Sequence, residues 1–156
     1  MMLKRRDRGA ISVAQAKRRR KAHKYLALMG FLIGASSVIL IAVSHEMSTS
    51  LVERADSIRL FFIFGIFLGP VSYLLYLVSQ IAAFSNGIPH WNYLLCTLAV
   101  IQVSFSLFFA RDILMIDKTG RYSLQTPQWA LYILWSMLVF MVVFTLIVAI
   151  VSRKKV

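Results

Sequence analysis

Four long apolar runs without a charged residue constrain this chain more than any other feature. They cover residues 25–44, 60–84, 91–110 and 129–151, and none contains Asp, Glu, Lys or Arg. A helix needs about 20 apolar residues to cross the hydrocarbon core of a bilayer. Strands of a membrane barrel alternate polar and apolar residues over about 10 positions, and these runs lack that alternation. The sequence therefore predicts an all-α integral membrane protein built as a four-helix, four-span bundle.

The basic residues predict how these four spans are oriented. Ten of the 18 Lys and Arg residues precede the first span, three follow the last, and five lie in the loops after the first and third spans. By the positive-inside rule, this distribution agrees with an even number of crossings and with both termini in the cytoplasm. The chain then divides into a basic cytoplasmic arm (1–24), a transmembrane domain (25–151) and a basic cytoplasmic tail (152–156). We expect it in a bacterial inner (plasma) membrane.

The basic arm is the first candidate binding segment. Ser12 and Gln15 have the spacing of a capping box, so a helix is expected to start near Ser12 and to continue into the first span. Anionic lipid headgroups are one expected partner, at about 1 kcal/mol per basic residue near the surface. Because orientation alone needs fewer than ten cations, an acidic cytosolic protein is a second expected partner, and non-specific nucleic acid a third. The candidate binding residues are Lys17, Arg18, Arg19, Arg20, Lys21 and Lys24.

Small residues recur at helix-packing spacing in the first two spans. Gly30 and Gly34 form one GxxxG pair, and Gly65 and Gly69 form another. In lipid there is no hydrophobic drive between helices, so residues that allow close backbone approach are a principal means of association. These glycines therefore predict helix contacts, either between the first and second spans of one chain or between the subunits of a homo-oligomer.

The second span carries a proline and a polar half. Pro70 lacks a backbone donor and clashes with the carbonyl of Ile66, so a kink is expected there. Three interpretations fit the polar residues that follow: hydrogen bonds between helices, a narrow polar lumen, or a pocket for a lipid headgroup. The candidate residues are Ser72, Tyr76, Ser79 and Gln80, with Gln102 of the third span facing them.

Features of enzymes and of ion-coupled transporters are missing from the sequence. Small multidrug transporters also have four spans, but they depend on a membrane-embedded glutamate, and the spans here have no Asp, Glu, Lys or Arg. The three histidines are far apart in sequence and Cys96 is the single cysteine, so no metal site, cofactor or catalytic residue is predicted. Residues 117–120 match the start of the P-type ATPase phosphorylation motif, but Arg121 follows and the loop has no room for a nucleotide domain.

These features predict a non-enzymatic membrane anchor or sensor subunit that presents a cationic platform to a cytosolic partner. Membrane sensors and anchors of multi-component bacterial assemblies, including antiviral defence modules, have this general build. The alternative is a small oligomeric channel or holin-like pore. Its axis would be lined by Ser72, Tyr76, Ser79 and Gln102 from several copies.

Overall fold

Four long helices dominate the computed structural model, which describes residues 3–50, 55–88 and 90–154, with side chains from residue 13 onward except at 16, 19, 20, 50 and 154. The elements in chain order are α1 (Leu3–Ser50), α2 (Ala55–Ser85), α3 (His90–Phe109), β1 (Ile113–Ile116), β2 (Tyr122–Gln125) and α4 (Gln128–Lys154). Each helix contains a stretch that is long and apolar enough to cross a membrane. The prediction of four membrane-spanning helices is therefore confirmed at the level of length and composition.

Successive helices run antiparallel, so the bundle has two distinct ends. At one end the start of α1 meets the end of α2, where the Ser79 hydroxyl donates to the His23 carbonyl at 2.6 Å. The second half of α4 reaches the same end, where the Gln80 amide lies 3.2 Å from the Thr145 hydroxyl. We call this the terminal end. The opposite end, where α1 finishes near Ser50, is called the hairpin end because it carries the paired strands β1 and β2. The described chain thus begins and finishes on the same side of the bundle.

The first two helices are longer than the sequence predicts. The spanning stretch of α1 is Lys21–Thr49, and the helix itself starts nine residues before Ser12 and continues six residues beyond the predicted boundary at 44. This extension lies beside the hairpin described below, where the Leu114 amide donates to the Ser48 hydroxyl. Pro70 lies inside α2, which is helical on both sides of it. In the first loop, Ser50 and Glu53 also have capping-box spacing, but residues 51–54 lie outside the described residues.

The described chain departs from an all-α fold in the loop between α3 and α4. Strands β1 and β2 pair antiparallel, with Ile113 opposite Gln125 and Ile116 opposite Tyr122. Residues 117–121 make the turn, in which the Asp117 amide donates to the Arg121 carbonyl at 2.7 Å. Gly120 adopts a φ of 77°, a conformation that costs glycine little. Four-residue strands are too short for a strong period-two signal, which is why the sequence does not predict β structure in this loop.

The buried core lies mainly between α1 and α2, which pack against each other more extensively than any other pair of elements. Ile41, Phe62 and Ile66 are fully buried there. The outer surface of the bundle is apolar as well, with large exposed side chains such as Leu74 and Phe140. A soluble domain rarely exposes a contiguous apolar surface of this extent, whereas a lipid-facing surface requires one.

Candidate functional site

The described cations of the basic arm lie on the exposed surface of α1. Lys17, Lys21 and Lys24 are exposed, and their spacing of four and three residues places them on one side of the helix. Arg18 is exposed beside them. The predicted binding residues Arg19 and Arg20 belong to α1, but their side chains lie outside the described residues. The chain therefore carries a positively charged stripe where α1 leaves the bundle.

A different face of the same helical turns is anchored in the bundle. His23 is buried, and its ring makes an edge contact with the Trp91 ring of α3 at 5.0 Å between centroids. Its backbone carbonyl accepts the Ser79 hydroxyl of α2, and Ser79 also accepts the Trp91 indole N–H at 3.1 Å. The helix is thus fastened to both α2 and α3 at the point where the cationic stripe begins.

The four predicted packing glycines meet side chains of the same chain. A Cβ on Gly30 would lie 2.9 Å from two ring carbons of Tyr76, and one on Gly65 would lie 2.8 Å from Ile41 Cγ1. Gly69 faces the Met137 methyl group, at 3.1 Å from its Cβ position. Gly34 lies so close to the Gln102 side chain that a Cβ there would overlap it. These glycines occupy contacts of α1 with α2 and α3, and of α2 with α4.

The Ser72–Gln102 pair joins α2 and α3 near the middle of the bundle. The Gln102 amide donates to the Ser72 hydroxyl at 2.8 Å, and the Ser72 hydroxyl lies 3.0 Å from the Gly69 carbonyl. One turn away along α3, the Ala99 carbonyl accepts the Tyr73 hydroxyl at 2.8 Å. Both polar side chains of the pair are buried, so each satisfies the other in a low-dielectric interior.

A second polar group joins α2, α3 and α4 toward the terminal end. The Gln80 amide lies 3.2 Å from both the Asn92 carbonyl oxygen and the Thr145 hydroxyl, and all three residues are buried. Tyr76 is also buried, with its ring against Gly30. The predicted polar residues of α2 thus contact helices of their own chain.

Sequence reasoning missed two partners in these groups, Thr145 and Asn92, which complete the group around Gln80. Ser37, which lies on the same face of the first span as Gly30 and Gly34, donates its hydroxyl to the Gly65 carbonyl at 2.5 Å. Ser37 continues the Gly30–Gly34 stripe at helical spacing, which is a usable signal for a packing contact. The partners of Gln80 carry no such signal, because their sequence separations of 12 and 65 residues are set by tertiary packing.

The hairpin is fixed to the end of α1 by two polar contacts. The His45 ring Nδ1 lies 2.7 Å from the Arg111 carbonyl oxygen, and the Leu114 amide donates to the Ser48 hydroxyl at 3.1 Å. The guanidinium of Arg111 lies 4.4 Å from the Phe108 ring centroid, in the geometry of a cation–π contact. Residues 117–120, which match the ATPase motif in sequence, form the hairpin turn.

The comparisons with known proteins add no family to this description. No protein-family model, no curated protein and no solved structure shows a significant match to the chain. Among the residues that the structure describes, no three His, Cys, Asp or Glu side chains come together as metal ligands would. The candidate functional features are therefore the cationic stripe of α1 and the bundle that holds it.

Proposed function

We propose that this protein is a non-enzymatic membrane anchor that presents a cationic helical arm to an acidic cytosolic protein. In this proposal the four helices cross the membrane, and both termini face the cytoplasm. One observation carries the proposal: α1 is continuous from its anchored turn at His23 into the basic segment, where Lys17, Arg18 and Lys21 are exposed. A helix that is fastened at its base can hold its charges at a defined distance from the membrane.

The length of the arm favours a soluble partner over lipid headgroups. Leu3 lies about 27 Å along the helix axis from Lys21, at 1.5 Å per residue. Attraction to an anionic membrane surface falls off within a Debye length, which is about 8 Å at physiological ionic strength. Headgroups therefore attract the cations near Lys21 and Lys24, whereas a straight arm carries the basic residues at 4–8 beyond their reach.

The composition of the arm favours a projecting helix over one that lies on the membrane. Helices that lie in the interface bury Trp, Phe or Leu side chains, and residues 12–24 contain none of these. A sharp bend in a helix usually occurs at Pro or Gly, and residues 10–29 contain neither. Residues 12–24 therefore lack both the apolar face and the breaker that a surface-bound conformation of this segment requires.

Two matched charge variants test the proposal. In one, Lys4, Arg5, Arg6 and Arg8 become Gln; in the other, Arg18, Arg19, Arg20 and Lys21 become Gln. Affinity purification from the native membrane should lose the cytosolic partner by about tenfold or more with either variant, because each removes four positive charges that would attract an acidic protein. Terminal-tag accessibility checks that each variant still inserts with the same orientation.

The outcomes separate the partners that the sequence predicts. Unchanged recovery of the partner with both variants would contradict the proposal. Loss of binding to anionic vesicles with the second variant alone, without any protein recovered in either case, would assign the arm to headgroups. Recovery that disappears after nuclease treatment would assign it to nucleic acid.

The channel or holin-like pore gains no support from the contacts of its predicted lining. Ser72, Ser79 and Gln102 are buried and bonded within one chain, and a pore axis would have to break those bonds. The sensor role, the homo-oligomer and the membership of a multi-component bacterial assembly stay predictions from the general build. Ion or solute flux across the membrane of liposomes that contain the purified protein would support the pore instead.

A further inference from the structure

A cavity of about 290 Å³ opens on the side of the bundle between α1 and α3. Ala35, Val38 and Ile101 form its walls, and Gly34, Tyr76 and Gln102 lie at its floor. It lies where α1 and α3 face each other, beside the small side chain of Ala35. The lining is apolar except for the Tyr76 hydroxyl and the Gln102 amide.

The cavity lies near the middle of the membrane-spanning stretches. Its lining residues fall within 31–39 of the α1 stretch Lys21–Thr49, and within 98–105 of α3. Its rim includes Phe31, Ile39 and Phe105, all about half exposed. These rim side chains continue directly into the apolar outer surface of the bundle, so the opening faces hydrocarbon.

The chemistry of the lining indicates an uncharged hydrocarbon occupant. None of the lining residues is Asp, Glu, Lys, Arg or His, so nothing in the cavity balances a charged group. The Gln102 amide is already bonded to Ser72, and it does not require a polar ligand. One turn of a helix with its side chains, about 10–12 Å across and about 5.4 Å long, occupies more than the cavity volume of about 290 Å³, whereas a stretch of extended acyl chain is narrow enough to enter.

We propose that this cavity binds one acyl chain of a phospholipid from the surrounding bilayer. Protein interiors are close-packed, and a chain in this position packs against α1, α2 and α3 together. The occupant therefore contacts the helix whose continuation is the cationic arm. Lipid binding in this cavity does not require the cytosolic partner, so its test is independent of the test of the proposed anchor function.

A matched pair of substitutions on α1 tests the site by native mass spectrometry. Val38→Phe fills the cavity, whereas Val43→Phe places the same ring on an exposed position outside it. The wild type should retain about one phospholipid per chain after detergent washing, and Val38→Phe should retain it about fivefold less. Val43→Phe should behave as the wild type. Equal retention by the two variants, or none by the wild type, would overturn the proposal.

A measurement on the wild-type protein keeps the test independent of whether Val38→Phe folds. A phospholipid with a photoactivatable group on its acyl chain, present at substoichiometric amounts, should label residues 31–39 and 98–105 in preference to the exposed α2 residues Leu60, Phe64 and Phe67. The same group placed on the headgroup should not label them. Three results would each contradict the proposal. They are equal labelling of both surfaces, labelling by the headgroup probe, and loss of the acyl-chain label when free fatty acid, but not phospholipid, is added as a competitor.

Discussion

The contact of α1 with α2 and the contact of α2 with α4 differ in what lies at the point of closest approach. A Cβ on Gly65 would lie 2.8 Å from Ile41 Cγ1 and 3.1 Å from two backbone atoms of α1, Ile41 N and Ser37 O. A Cβ on Gly69, one turn along α2, would lie 3.1 Å from the methyl group of Met137 on α4. Backbone cannot move aside, whereas a methionine side chain adapts readily. The first contact is therefore rigid and the second adjustable.

This difference predicts that Gly65→Ala is the most damaging small substitution in the bundle. The added methyl group must displace α1 itself, and overpacking of this kind costs about 1–3 kcal/mol. We expect the free energy of unfolding to fall by about 2 kcal/mol, since alanine recovers part of the cost through helix propensity. The free energy of unfolding can be measured by steric trapping or by detergent titration of the reconstituted protein. A fall no larger than that of Gly69→Ala would break the comparison.

Gly34→Ala probes an intermediate case, in which the obstacle is a side chain held by a hydrogen bond. The new methyl group would overlap Gln102, which must then leave Ser72. We expect a loss of about 1 kcal/mol, which includes one interhelical hydrogen bond. In the Gln102→Ala background the same substitution should cost less than about 0.5 kcal/mol, because the obstacle is gone. Strict additivity in this double-mutant cycle would contradict the assigned contact.

Ser37→Ala removes the hydrogen bond across the rigid contact without changing its packing. Such bonds in membrane proteins contribute about 0.6 kcal/mol on average, so a loss of that size is expected. Within the described part of the chain, the neighbouring Ser36 hydroxyl donates to the Leu32 carbonyl of its own helix, at 2.9 Å. Ser36→Ala is thus the matched control, and it should leave the unfolding free energy unchanged. An equal effect of the two substitutions would show that the bond from Ser37 to Gly65 contributes nothing across the contact.

Gly69→Ala should have the smallest effect of the series. The Met137 methyl group can shift by the few tenths of an ångström that the new Cβ requires, and alanine favours the helix more than glycine does. We expect the unfolding free energy to stay within about 0.5 kcal/mol of the wild type. The same titration provides the value. A loss comparable to that of Gly65→Ala would mean that α4 is held as rigidly as α1.

Part of the candidate site could be predicted from sequence because it depends on local spacing. The glycine pairs, Pro70 and the polar run after it are visible as one-dimensional patterns with helical periodicity. The partners of those residues could not be predicted, because periodicity assigns a residue to a face without saying which helix that face meets. Gln102 against Gly34 and Asn92 against Gln80 are contacts of this second kind.

The sequence by itself determined that the chain forms four long apolar helices with a strongly basic start. The reason is physical: hydrocarbon leaves a spanning segment no partner for its backbone other than itself, so length and polarity suffice. Tertiary structure alone decided that the hairpin closes on α1 through Ser48, that α1 meets α2 at backbone distance, and that a cavity remains beside Gly34. Those features depend on the volumes and bonds of residues far apart in the chain, which only the packed bundle brings together.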